Sequence, residues 1–311
     1  MTLLLLLLAM KPPTWSELDG PWKKGAYVDF AVAGEVVHAV WVEGDTLRYA
    51  KGPKWSKPKT IAEKVETGDG GQIRPQVVAD GTVVYTSGGS VHARAAGGED
   101  RVLGAGELVG ADAGGVVWLD RSSGRSVVRV DGVEVYASGD DGVCMCCAPA
   151  ILARPDGLAV AVRDADGPRR DVRLLVREGS TWNDRGDVTK GAWSPGGCPA
   201  DGPALTSDAV LVSDARDGAR RIWKATAGGE EKLPLLHEGW QQVQPRATPD
   251  GRIVTWVEVA EGKAELVLLE GGSPMRVAAA TSIEPGDPVV VGSELWLPFQ
   301  TPERAVVMVQ R

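Results

Sequence analysis

The chain has 311 residues, among them 40 glycines and 20 prolines, and carries a formal net charge of −8 with a pI near 5.1. This length suits two ordinary domains or one large β-domain, and it is enough to bury a sizeable core. No run of lysines or arginines stands out, so the clustered basic footprint that nucleic-acid binding needs is missing and we expect no nucleic-acid partner.

The first ten residues form an apolar run that includes six consecutive leucines, Leu3 to Leu8. The run is too short to span a bilayer as a helix, so no transmembrane segment is predicted. It resembles the apolar region of a secretory signal, although a basic start and a small-residue cleavage site are missing. We expect residues 1–10 to be a signal-peptide remnant and residues 11–311 to be one domain. Export to the periplasm or the extracellular space would allow its cysteines to form disulfides.

After Lys11 the sequence repeats one pattern of short apolar strands at about the spacing of propeller blades. Each unit has a first strand, often entered through a proline, and a second strand rich in valine and tryptophan. The first strands are predicted at 27–32, 74–79, 108–112, 148–153, 202–205, 244–247 and 287–291. The second strands are predicted at 36–42, 82–85, 116–119, 158–162, 210–212, 253–257 and 295–297. Runs this short, bounded by Gly, Asp and Pro, are typical of strands.

Seven such units predict an all-β fold, a β-propeller of seven four-stranded antiparallel blades around a central channel. Six blades stay open if one weak unit is degenerate, and a two-sheet sandwich is the alternative architecture. The last unit stops after its third strand at 305–309, which leaves an edge that another strand must cover. The stretch from Trp15 to Lys24 is the natural donor, so we expect the two termini to close the ring together.

The four cysteines occupy two loops. Cys144, Cys146 and Cys147 lie before the first strand of the fourth unit, and Cys198 lies before that of the fifth. In a propeller these entry loops share one face, so the four sulfurs are predicted to converge at the channel mouth. Four thiolates suit a soft metal ion, with copper favoured and zinc as the alternative. Met145 could add a thioether, although alternation along an extended segment points it away.

Disulfides are the competing interpretation of the same cysteines. A Cys144–Cys198 bond could staple the two blades, with Cys146 and Cys147 free or bonded to each other, and an exported protein favours such bonds. Adjacent cysteines pair poorly, however, because disulfide geometry is demanding. Thiol redox chemistry is a third interpretation. Sulfur–sulfur distances separate the first two, at about 2 Å for a disulfide and about 3.5–4 Å for a metal cage.

Charged residues follow the second strand of the fourth unit and the cysteine of the fifth. Arg163, Asp164, Asp171 and Asp201 are predicted to lie beside the cysteines and to orient them or to hold a small anionic ligand or a protein partner on the cysteine face. Ordinary solvated turns with local ion pairs are the alternative.

The segments Cys144–Pro149, Arg170-Asp171 and Cys198–Gly202 together resemble a subgroup of the sialidase-like (Asp-box, or BNR-repeat) β-propeller superfamily. Residues 177–182 look like an Asp-box that has lost its aspartate. The resemblance implies an exported propeller. Sialidases also need an arginine triad, a tyrosine nucleophile with a glutamate, and an aspartate, of which only Ile73-Arg74-Pro75 is an echo. The sequence therefore does not establish an enzyme.

The sequence leaves three functional hypotheses. The first is an exported propeller that binds a soft metal at the cysteines. The second is a glycan- or peptide-binding module whose blades are stapled by disulfides, and the third is a divergent sialidase-like hydrolase.

Overall fold

Short antiparallel strands follow one another along the chain. The computed structural model describes residues 14–68, 72–139, 142–190, 193–195 and 199–311, and these residues form strands and turns but no helix. Accordingly, no helix that could cross a membrane occurs among them. The all-β fold class predicted from the strand pattern is confirmed.

The strands fall into seven sheets. The first strand of the chain, β1 (Trp15–Glu17), belongs to the last blade. Blade one comprises β2 (Ala26–Ala33), β3 (Val36–Glu43), β4 (Thr46–Gly52) and β5 (Lys59–Ala62). Blade two comprises β6 (Gln76–Val77), β7 (Thr82–Ser87), β8 (Ser90–Ala95) and β9 (Asp100–Ala105). Blade three comprises β10 (Glu107–Asp112), β11 (Gly115–Asp120), β12 (Val127–Val130) and β13 (Val133–Tyr136).

The remaining blades repeat this order. Blade four comprises β14 (Ala150–Arg154), β15 (Gly157–Arg163), β16 (Val172–Glu178) and β17 (Thr181–Asp187). Blade five comprises β18 (Ala204–Leu205), β19 (Ala209–Asp214), β20 (Arg221–Thr226) and β21 (Gly229–Lys232). Blade six comprises β22 (Gln241–Ala247), β23 (Ile253–Ala260), β24 (Lys263–Glu270) and β25 (Met275–Ala280). Blade seven comprises β26 (Glu284–Pro285), β27 (Val289–Val291), β28 (Glu294–Gln300) and β29 (Ala305–Gln310).

The ring is closed by both termini, as the sequence predicts. Strand β1 pairs antiparallel with β29, with Trp15 opposite Gln310 and Glu17 opposite Met308. The inner position of this blade is shared by β26 and β27, which both pair with β28. The prediction of seven blades is confirmed, and the alternatives of six blades and of a sandwich are wrong. Only the first three residues of the proposed donor stretch form the closing strand.

First strands of two blades are shorter than predicted. Strands β6 and β18 each span two residues, whereas the sequence predicts 74–79 and 202–205. Both predicted runs include a proline, Pro75 or Pro203, and proline cannot donate a hydrogen bond to a neighbouring strand. The ladder therefore begins only after the proline.

The core lies between the blades. Seven apolar clusters each join two neighbouring blades, so each blade is buried on both faces. In β15, Val160 and Val162 face blade three, whereas Ala159 and Ala161 face blade five. This alternation is the period-two geometry of a strand, and it explains why the second strands are apolar at nearly every position. Each buried valine contributes about 1.5–3 kcal/mol from its removal from water.

Candidate metal centre

The cysteine segment is held against the end of β15. Val143 forms an isolated bridge with Asp164, and the Cys144 N–H donates to the Arg163 carbonyl at 2.9 Å. Gly142 makes this approach possible: its φ is +77°, and a Cβ there would lie 2.2 Å from the Ser126 carbonyl oxygen. A glycine tolerates both conditions, whereas an L-residue would be strained and would clash. The segment thus enters the fourth blade in one fixed direction.

Three sulfur atoms lie together in this segment. The Sγ of Cys144 is 3.3 Å from that of Cys146 and 3.7 Å from that of Cys147, and all three lie within 4.8 Å of one another. Cys144 and Cys147 are buried, and Cys146 is half-buried. The group could hold a metal ion, because each residue offers one soft ligand atom. The fourth cysteine of the predicted site, Cys198, lies outside the described residues.

The three cysteines are not all in the same oxidation state. Cys144 and Cys147 are free thiols, whereas Cys146 is disulfide-bonded. Two of the pairings considered from the sequence, Cys144 with Cys198 and Cys146 with Cys147, are therefore wrong. The free thiol of Cys147 instead accepts a hydrogen bond from the Asp201 N–H of the blade-five entry loop at 3.3 Å. That contact brings the two entry loops together, as predicted.

Arg163 lies behind the sulfurs and is fully buried, with 0% of its surface exposed. Its guanidinium donates to main-chain carbonyls on three segments: Asp201 at 3.0 and 3.2 Å, Arg170 at 2.6 Å and Ser213 at 3.0 Å. It also stacks over Trp193, with 5.1 Å between the guanidinium carbon and the ring centre. Within the described residues no carboxylate forms an ion pair with it. Its charge is therefore available to stabilise a thiolate or another anion nearby.

The two free thiols have opposite acidities. The pKa of Cys144 is lowered to about 6, chiefly by a hydrogen bond with Cys147, with contributions from the Cys146 backbone and from the charges of Arg163 and Arg170. Burial instead raises the pKa of Cys147 well above its ordinary value, and the neighbouring Cys144 raises it further. Near neutral pH the pair therefore holds one thiolate on Cys144 and one proton on Cys147. A thiolate is the form of cysteine that binds metals.

The three aspartates predicted beside the cysteines are buried and already have partners. Asp164 accepts from the Tyr136 hydroxyl at 3.0 Å, and Asp171 accepts from Arg169 at 2.6 Å. Asp201 is ion-paired with Arg220 and accepts from the Gln244 N–H at 3.0 Å. Their carboxylates therefore hold the loops around the site. Among the cysteines that the structure describes, Cys147 accepts a hydrogen bond from the backbone N–H of Asp201.

The segment around Met145 is a turn and not an extended strand, so the alternation argument does not apply to it. The side chain of Met145 packs against the apolar cluster between blades three and four. Its carbonyl oxygen accepts from Arg121 at 3.5 Å. The thioether therefore lies in a different environment from the three cysteine sulfurs.

Sequence reasoning missed a second polar group, which lies in the central channel. Arg74, Arg246 and Asp287 line a cavity there, and Asp29 is buried beside them. A signal for three of these residues was present, because each lies directly beside a proline that opens a first strand: Pro75, Pro245 or Pro288. Because first strands surround the channel, residues at their entry face its axis.

Comparison with known proteins shows the fold. No protein-family model matches the sequence, and no curated protein matches it. A catalytically inactive variant of virginiamycin B lyase from Staphylococcus aureus, solved with quinupristin, is similar with a TM-score of 0.62 and 12% identity, covering 96% of this chain and 100% of that one. The β-propeller domain of the Trilobed protease from Pyrococcus furiosus has a TM-score of 0.57 and 10% identity, with coverage of 92% and 96%.

A third similar structure is longer than this chain. A puromycin-hydrolyzing peptidase from Mycobacterium tuberculosis has a TM-score of 0.59 and 15% identity, covering 92% of this chain and 50% of that one. At these identities the likeness supports the propeller fold and carries no information on activity.

Proposed function

We propose that the reduced protein binds a soft metal ion through Cys144, Cys146 and Cys147, with copper(I) preferred to zinc. The observation that carries this proposal is the convergence of three sulfur atoms within 4.8 Å at one blade entrance. Cys198 remains the proposed fourth ligand on the sequence argument alone.

The spacing of the sulfurs suits a metal–thiolate site. Tetrahedral sulfur atoms at about 2.3 Å from zinc are separated by about 3.8 Å, and the Cys144–Cys147 distance is 3.7 Å. The 3.3 Å between Cys144 and Cys146 is shorter, so a small rotation of one side chain would accompany binding. Thiolates without a histidine or carboxylate in the group favour soft copper(I), and the charge of Arg163 offsets part of the negative charge that three thiolates bring.

Reduction of the disulfide at Cys146 is the condition for binding, because a disulfide sulfur is not a thiolate ligand. The same bond supports our proposal that the protein is exported, since structural disulfides persist in oxidising compartments and are rare in the cytosol. The sialidase-like relationship also remains a proposal. It is supported by the three sequence segments given above together with the propeller fold.

The metal hypothesis is tested on anaerobically purified protein that has been fully reduced. Copper(I) is titrated against a chromophoric chelator, and bound metal is counted by elemental analysis. We expect one tightly bound ion, and a loss of affinity of at least tenfold in Cys144→Ser and Cys147→Ser, since each substitution removes a ligand. Ser126→Ala, a change in the neighbouring loop, is the matched control and should bind like wild type. Reduced protein that binds no copper or zinc above the control level would refute the proposal.

A glycan- or peptide-binding module is the second candidate function, and the disulfide at Cys146 is the observation that favours it. In this case the cysteines only hold the blade entrances together. Mass mapping of the native protein under non-reducing conditions separates the two functions. Retention of the Cys146 disulfide in protein taken directly from cells, without bound metal, would favour the module.

A further inference from the structure

The central channel contains a cavity of about 330 Å³. This volume lies within the usual range for small-molecule sites, about 300–1,000 Å³. The innermost strands of neighbouring blades contact one another around it. Arg74 and Asp287, which precede the innermost strands β6 and β27, form the polar part of the cavity lining together with Arg246 of β22. Val32, Leu152 and Leu205, which lie toward the ends of β2, β14 and β18, form the apolar part, beside one acid, Asp112, at the end of β10.

The polar part is built around one shared carboxylate. Asp287 accepts from Arg74 at 2.8 Å and lies 3.5 Å from the Nε of Arg246. The guanidinium groups of Arg74 and Arg246 therefore share one negatively charged partner, the carboxylate of Asp287. The Nε of Arg246 is buried and has no hydrogen-bond partner among the described residues, and neither has the Nε2 of Gln72 in the same part of the lining. A buried donor without an acceptor is costly, about 1–3 kcal/mol or more for a charged group, so these atoms indicate an acceptor that a ligand would supply.

Backbone irregularities lie next to two residues of this cluster, Asp29 and Arg246. Strands β2 and β22 each carry a register shift, and Tyr27 and Gln244 at these shifts have φ of 53°. Asp29 and Arg246 follow two residues after them. A bulge bends a strand and redirects the side chains that follow it. Non-glycine residues with positive φ are uncommon, and such strained positions are concentrated at functional sites.

Two carboxyl groups beside the arginines have pKa values raised above their ordinary range. Burial raises the pKa of Asp29 to about 7, against the opposing effect of Arg74. Burial also raises the pKa of Glu284, which hydrogen-bonds with Tyr27. The charged groups that face Arg246 are Arg74, Asp287, Asp29 and Asp201, and Asp201 is already paired with Arg220.

We propose that the channel binds a small monocarboxylate with an apolar body, its carboxylate against Arg246 and Arg74 and its body along the valine- and leucine-lined part. A guanidinium binds a carboxylate through two parallel hydrogen bonds, which would give the Nε of Arg246 the hydrogen bond that Asp287, at 3.5 Å, does not supply. The apolar part of the lining favours such a ligand over inorganic phosphate or a sugar, because its one acid, Asp112, already accepts from the Ala153 N–H at 2.6 Å and the valine and leucine side chains offer nothing to a hydroxyl group. This site is independent of the cysteines and does not rest on the proposed metal binding.

Protonation of the cluster gives the proposal a pH signature. As the pH falls through about 7, Asp29 gains a proton and the polar part becomes more positive. An anion therefore binds more tightly at pH 6 than at pH 8. The sign follows from the titration of Asp29 between these two pH values.

The experiment uses hexanoate as the probe, and its neutral isostere hexanamide as the ligand control, in ligand-detected NMR titrations of the full chain at pH 6 and pH 8. The variant is Arg246→Gln. The matched control is Arg216→Gln, because the side chains of Arg216 and Arg246 are equally buried, at 8% exposure, and each lies beside an aspartate. Circular dichroism establishes that each variant is folded.

We expect hexanoate to bind saturably to wild type and to Arg216→Gln. It should bind at least about tenfold more weakly to Arg246→Gln, and hexanamide should bind to wild type more weakly than hexanoate does, because each change removes a charged hydrogen bond. Binding should strengthen severalfold from pH 8 to pH 6. The proposal is overturned if folded wild type does not bind hexanoate saturably, if hexanamide or inorganic phosphate binds as well, or if Arg246→Gln binds unchanged. If Arg246→Gln does not fold, the ligand comparison and the pH dependence on wild type decide alone.

Discussion

Replacement of Arg163 by methionine tests whether the guanidinium holds the cysteine loops together. The side chain is fully buried and donates four hydrogen bonds to carbonyls on three segments. A hydrogen bond from a charged donor contributes about 1.5–3 kcal/mol, and the contributions of one side chain are not additive. We expect Arg163→Met to lower the free energy of unfolding by about 4 kcal/mol, since methionine fills most of the volume but leaves three carbonyls without this donor.

The matched control is Arg185→Met on the last strand of the same blade. Arg185 is 49% exposed and forms a surface ion pair with Glu178, so its loss should cost at most about 1 kcal/mol. The assay is urea unfolding of reduced, metal-free protein, with the denaturant slope compared between variants to establish that the transition is unchanged. Equal costs for the two variants, or a cost below about 1 kcal/mol for Arg163→Met, would refute the role assigned to Arg163.

Two further predictions concern the channel and the cysteine segment. The pKa of Asp29 is about 7 in the folded protein and near 3.8 when unperturbed, so the folded state binds the proton more tightly and wild-type stability falls as the pH rises from 5 to 8. Asp29→Asn should remove on the order of 2 kcal/mol of that fall, measured by urea unfolding at the two pH values. A pH dependence of stability unchanged from wild type would contradict the burial argument. Gly142→Ala should displace the cysteines, since the added Cβ meets Ser126, and should lower both melting temperature and copper affinity. Gly124→Ala is the control, because Gly124 also has a positive φ, of 86°, but has open space where a Cβ would lie, so this variant should retain copper affinity. Equal copper affinity in the two variants would refute the idea that the clash at Gly142 displaces the cysteines.

Much of the architecture could be predicted because the repeat is local. Each second strand is a short apolar run such as 158–162, and its alternating residues are needed to fill the interfaces on both sides of a blade. Ring closure was also predictable, because a chain whose last unit ends one strand short leaves an unpaired edge that the N-terminal segment can cover. The strand limits were less accurate wherever a proline, such as Pro203, removed a donor from the ladder.

The tertiary structure alone decided the chemistry of the two polar sites. The sequence placed three cysteines in one loop, but which thiols are free and which is bonded depends on side-chain directions that a residue pattern does not contain. The lowered pKa of Cys144 likewise depends on its contact with Cys147 and on a buried arginine from another strand.

The channel cluster shows the same division more plainly. Asp29, Arg74, Arg246 and Asp287 come from four blades, and no short stretch of sequence contains more than one of them. They meet because seven similar units close into a ring, which brings the starts of all first strands to one axis. By itself the sequence determined the repeating strands, and hence the ring, because strand formation and two-sided burial are encoded within each unit. The residues that face one another across the ring were decided only by its closure, because that contact depends on the packing of all the units together.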